Sequence, residues 1–170
     1  MSTFVHEGRR TAGGPAAALP DEDLPEVRAV LLASEERDFS KAAIDLAGRI
    51  ARRSGVDVHV LAIARVWGTS LGFPSPGLMP TKREWETQRQ NVDRAIARLK
   101  RKQVHATGRV VGTRAGAKLI SKEAGRVGCD VIVMGADPPR AAVLRNFLWS
   151  QEPQRVARRA RVTVYLVTEP

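Results

Sequence analysis

Gly135, Arg140, Arg145 and Ser150 fall within one short stretch, and together they are the residue types that hold an anion. A glycine lets backbone N–H groups approach a phosphate, and arginines pair with its oxygens through a two-pronged fork. A serine hydroxyl opens a helix whose N-terminal end carries positive partial charge. Asp137, Pro138 and Pro139 stand among them. Proline has no N–H to offer and the Asp carboxylate repels a phosphate, so charges that attract an anion are set on a backbone poorly suited to cradle one. Catalysis finds less support. His6, His59 and His105 are scattered, no Cys/His cluster has metal-ligand spacing, and no nucleophile, base and orienting group stand together. Ser150 therefore reads as a helix cap and His59 as a packed strand residue, and the chain is not expected to be an enzyme. The run Gly112 to Lys118 fails as a P-loop, because three residues separate its glycines where four are required, and Leu119 follows Lys118 in place of Ser or Thr.

These residues need a scaffold, and the apolar patterning supplies one. Asp130 to Gly135 holds a β-branched apolar run that suits a strand buried on both faces, and ligands of open α/β sheets sit just past the carboxyl ends of such strands. Val27 to Ala33 is a second apolar run. Asp38 or Ser40 can cap the helix after it, where Ala43, Ile44, Ala47, Ile50 and Ala51 recur on one face, and Ser54 and Gly55 stop that helix. Val56 to Ile63 is the next strand. Thr81 and Glu84 have capping-box spacing and open a long helix to about Lys102. Gln103 to Val111 is a strand ending at Gly112 and Thr113, Ala117 to Val127 a helix stopped by Gly128, Ser150 to Arg159 a helix, and Val162 to Val167 the last strand. Strands alternating with helices predict an α/β fold: a single open five-stranded parallel sheet with helices on both faces. Trp67 to Pro80 interrupts the rhythm with glycines and prolines around Trp67, Leu71, Phe73, Leu78 and Met79, and its greasy surface suits a lid, a protein-docking segment or an excursion packed on itself.

At 170 residues, 43% hydrophobic, the chain fits one domain with a substantial core. Residues 1–26, rich in Gly, Pro and Ala, are expected to form a disordered tail, and 27–170 the domain. The net charge of +10 is uneven: residues 1–26 carry −3 and the remainder +13. Aromatic residues are only 5%, with no run of Arg interleaved with stacking rings, so nucleic acid is not the expected partner and the charge reads as solvated helix faces. No apolar run is long enough to span a bilayer, no signal-peptide core stands at the N-terminus, and Cys129 is the one cysteine. A cytoplasmic, reducing setting is expected, with no membrane association.

The strand closing on Gly112 and Thr113, the run from Gly128 to Gly135, Ser150 before a helix ending in Arg158, Arg159 and Ala160, and the closing Val162 to Val167 resemble the universal stress protein domain across residues 27–168. That resemblance implies a Rossmann-like five-stranded sheet, a stress-response role, a homodimer joined through the last strand, and in one subclass ATP at the sheet's carboxyl edge. The subclass carries an Asp at the end of its first strand and, after Met-Gly, glycines at two spacings before Ser or Thr. Mapped onto this chain, the pocket comprises Ala33, Ser34, Ile63, Gly112, Met134, Gly135, Arg140 and Ser150. Gly135 and Ser150 match. Ala33 replaces the Asp, Pro138 takes the second glycine, Leu148 or Trp149 the third, and the stretch Ala136 to Trp149 is one residue longer than the pattern allows. The expectation is a regulatory module without bound ATP as cofactor; the alternative is an adenine-nucleotide sensor with a rearranged phosphate loop.

Overall fold

The structure, a computed structural model, describes residues 2–7, 10–12, 20–66, 69–70, 73–74, 79–136 and 152–168. Strands β1 (Ser2–Glu7) and β2 (Arg10–Ala12) precede β3 (Val30–Glu35), α1 (Lys41–Ser54) and β4 (Val58–Arg65). The two-residue strands β5 (Thr69–Ser70) and β6 (Phe73–Pro74) pair with each other, then come α2 (Lys82–Arg101), β7 (Ala106–Thr113), α3 (Gly116–Val127), β8 (Val131–Ala136), α4 (Glu152–Arg159) and β9 (Thr163–Thr168). The sheet order is β2-β1-β9-β8-β3-β4-β7. Its five strands from β9 to β7 are parallel, as expected.

Alternation along the strands makes two cores. Val30, Leu32, Val60, Ala62 and Val133 point to the face covered by α1 and α2, and Leu31, Ile63, Ile132, Met134 and Val164 to the face covered by α3 and α4. Helix boundaries follow local chemistry. Ser40 Oγ accepts from the Ala43 N–H at 3.1 Å to start α1, and Gly55 and Gly128 end α1 and α3 in the left-handed conformation that glycine tolerates. Thr81 and Glu84 form the reciprocal capping box of α2. None of the helices among the described residues is long and apolar enough to cross a membrane.

The N-terminal segment departs from the sequence-based expectation. Ser2–Glu7 pairs antiparallel with β9, from Ser2 opposite Thr168 to His6 opposite Val164, and β2 pairs with β1. Glycine and proline content over the whole segment masked the strand-forming run Thr3, Phe4, Val5, which meets an edge whose backbone groups would otherwise lack partners. The packed body also begins before Val27: Leu24 is 3% exposed within the core, Asp21 forms an ion pair with Arg49 at 2.6 Å, and the Arg53 guanidinium donates to the Asp21 carbonyl. The β9 edge expected to be open to a second copy is thus covered by β1 of the same chain. Residues 13–19 of the expected tail, and most of the stretch from Trp67 to Leu78, lie outside the described residues.

Candidate functional site

From β3 the chain proceeds outward to β4 and β7, then returns to place β8 on the other side of β3. The carboxyl ends of β3 and β8 therefore flank the crevice where open α/β sheets bind ligands. Ala33 lies opposite Met134 in the β3–β8 register.

β3 and β4 each run two residues beyond the end expected from their apolar runs, and β8 one, which changes what stands at the edge. Ala33, Ile63 and Met134 lie inside strands, buried in the core under α3 and α4. Gly112 lies within β7, where a β-carbon would press on the Trp85 ring of α2. Gly135 is in β8 facing Ser40, and an added methyl there would make ordinary contact with the α1 cap. Arg140, Ser150 and the Pro138 and Pro139 pair lie outside the described residues.

The residues at the strand ends are instead Glu35, Arg65, Thr113 and Ala136. Glu35 shares the face of Ala33 and is only 4% exposed. Its carboxylate faces the Arg65 guanidinium at 3.9 Å, so a charge taken out of water there is compensated by an opposite one. Ser34, on the other face, donates its hydroxyl to the Arg37 carbonyl at 2.8 Å and closes the turn. Glu36 extends the ladder by donating its N–H to the Ile63 carbonyl at 3.1 Å, then adopts φ 53, the left-handed bend that swings the chain toward α1. Glu36 is exposed, yet loss of water around its carboxyl raises the pKa above its ordinary value; Arg65 opposes the shift and the Glu84 carboxylate adds to it. Thr113 accepts from the Ala115 N–H at 3.1 Å, satisfying a donor at the start of α3.

Sequence reasoning missed Glu35 and Arg65 because it stopped each strand where the apolar run stopped. A usable signal was present: each lies two residues past a buried apolar residue, on the same face, and their charges are opposite. The arrangement can bind or repel charge, but it offers no activated nucleophile. His59 pairs with Thr107 at 3.2 Å well down the sheet, burial pushes the Cys129 thiol up to about 11, and no acid, His or Cys group among the described residues could hold a metal.

The sequence profile of the universal stress protein family matches residues 26–168. The chain belongs to the universal stress protein family. Solved members share its fold. A universal stress protein from Archaeoglobus fulgidus superposes with a TM-score of 0.62 at 14% identity, covering 82% of this chain and 92% of that one. A universal stress family protein from Burkholderia pseudomallei gives 0.59 at 24% identity, covering 82% and 94%. A universal stress protein solved in complex with cAMP gives 0.60 at 20% identity, covering 85% and 98%. No curated protein sequence matches the chain. Membership of this family supports a stress-response module built on a Rossmann-like domain.

Proposed function

We propose that this universal stress family protein is a regulatory module that does not hold ATP tightly. The observation that carries this reading is the engagement of the β3 carboxyl end with its own neighbours. The Glu35 carboxylate is buried against Arg65, and the Ser34 hydroxyl is spent on the Arg37 carbonyl. A ribose hydroxyl would have to compete with both. The primary sequence adds that Pro138 and Pro139 remove two N–H donors from the stretch that would cradle phosphates. Loss of a charge-assisted hydrogen bond costs roughly 1.5–3 kcal/mol and each missing neutral one about 1, enough together to weaken a micromolar site to roughly millimolar.

A nucleotide sensor is the second reading, and Glu35 is what favours it. An acidic residue does close the first parallel strand, and one similar fold was solved with cAMP. Calorimetry with ATP, ADP, AMP and cyclic AMP separates the two. Dissociation constants weaker than about 100 μM for all four are expected. A stoichiometric constant below about 10 μM, abolished in Glu35→Gln, would replace the first reading with the second.

A homodimer through the outer edge of β9 is open to this module only where β1 has left that edge. That edge is the one β1 pairs within the chain, so docking of β1 and dimerisation compete for the same backbone groups.

A further inference from the structure

A groove on the opposite flank of the fold from α4 has a chemistry that the strand-end crevice does not explain. It runs between the start of α1 and the second half of α2, has a volume of about 310 Å³, and is lined by Lys41 and Ile44 on one side and Arg94, Ala95, Arg98 and Arg101 on the other. Residues 94, 98 and 101 are four and three apart, so the arginines descend one helix face over about 10 Å.

Two of these guanidiniums are held in place. The Asn91 side-chain carbonyl, itself buried, accepts a hydrogen bond from Arg94, and Asp45 takes a forked pair of hydrogen bonds from Arg98 at 3.0 and 3.2 Å. The other two cations are uncommitted. Lys41 and Arg101 are exposed and make no ion pair among the described residues. The groove also holds a carboxylate, Asp38, 3.7 Å from Arg94 with both groups well exposed to solvent. Cations thus outnumber the acids facing them, and Phe39 adds a half-buried apolar wall.

We propose that this groove binds a compact anion bearing more than one phosphate group. Guanidinium and ammonium groups suit phosphate oxygens, and cations strung along a helix match charge spread over several phosphates better than a single carboxylate. The volume is at the small end of ligand sites, which favours a small molecule over a peptide. Inorganic oligophosphate and the phosphate tail of a nucleotide share this chemistry. The site is separate from the crevice at Glu35 and does not depend on whether a ribose is held there.

The test is calorimetry at low salt with sodium tripolyphosphate and, in parallel, with ATP. The proteins are wild type, Lys41→Gln/Arg101→Gln, Asp38→Asn, and Arg158→Gln/Arg159→Gln, which removes equal charge from α4 on the other side of the sheet. One-to-one binding of tripolyphosphate, weakened about tenfold in the first variant, tightened in Asp38→Asn and little changed in the α4 variant, is the expected result. Equal affinity for ATP identifies oligophosphate as sufficient; tighter ATP binding identifies a nucleotide as the source. No tripolyphosphate binding tighter than about 1 mM, or equal weakening in the groove and α4 variants, overturns the proposal. Glu35→Gln, which reports on the strand-end crevice, should leave tripolyphosphate binding unchanged.

Discussion

Individual carboxyl groups set how this fold responds to acid. Asp130 takes side-chain hydrogen bonds from Arg28 and one from the Arg28 N–H, which tie the approach to β3 to that of β8 and hold the Asp130 pKa below 3.8. Hydrogen bonds from Arg126 lower the Glu123 pKa against the cost of its burial, with help from Arg109. For Asp45, burial works to raise the pKa, and the bonds and charges of Arg98 and Lys102 outweigh it. Groups with depressed folded values contribute stability that is complete above their unfolded values of 3.8 and 4.5 and is lost as pH falls through the folded ones. Glu36 has the opposite sign. Its raised pKa gives stability present below 4.5 and lost as pH rises through the higher folded value, so its ionised form is a small burden at neutral pH. Urea unfolding at pH 7 and pH 3.5 checks both signs. Asp130→Asn should flatten the acid loss, and Glu36→Gln should raise stability at pH 7 and narrow its gap from wild type at pH 3.5. A Glu36→Gln variant less stable at pH 7 contradicts the raised pKa.

Elements meet closely where side chains are withheld. β7 admits α2 because Gly108 has no β-carbon: one built there would run into Val92 and Ile96. Gly108→Ala should therefore lower stability by about 1–3 kcal/mol, as overpacking does, and Gly125→Ala, on an open face of α3, should raise it by about 0.5–1. Thermal melting of the two variants is the check, and a Gly108→Ala protein as stable as wild type would refute the packing. The same elements explain what could be read in advance. Strand interiors, the capping box at Thr81 and Glu84 and the glycine stops at Gly55 and Gly128 were legible because each depends on neighbours in sequence. The strand ends were not. Glu35 and Arg65 extend their strands through pairing with adjacent strands and with each other, which no local apolar pattern records. The run Thr3 to Val5 was likewise hidden, since its partner β9 lies at the far end of the chain.

For the whole molecule, the consequential choice is what covers the outer edge of β9. With β1 in place, the edge strand is β2, a three-residue piece that offers little backbone to another chain. Deleting residues 2–12 exposes the six residues of β9, whose Val164 and Val167 are buried in the two cores and keep the strand in position. Light scattering at micromolar concentration should then shift the deleted protein toward twice the chain mass relative to full-length protein, which has a chain mass of 18.6 kDa. Equal mass for the two proteins at every concentration would show that β1 and self-association do not compete.

Pairing between Ser2–Glu7 and Thr163–Thr168 also bears on biosynthesis. β1 leaves the ribosome long before the strand it pairs with, so it must wait, unpaired, through synthesis of nearly the entire domain. The contact joins opposite ends of the chain, among the costliest in loop-closure entropy, and belongs to the last stage of folding. Until β9 emerges, Ser2–Glu7 is a loose β-forming segment available to chaperones, to proteases and to nascent copies of the same chain on neighbouring ribosomes.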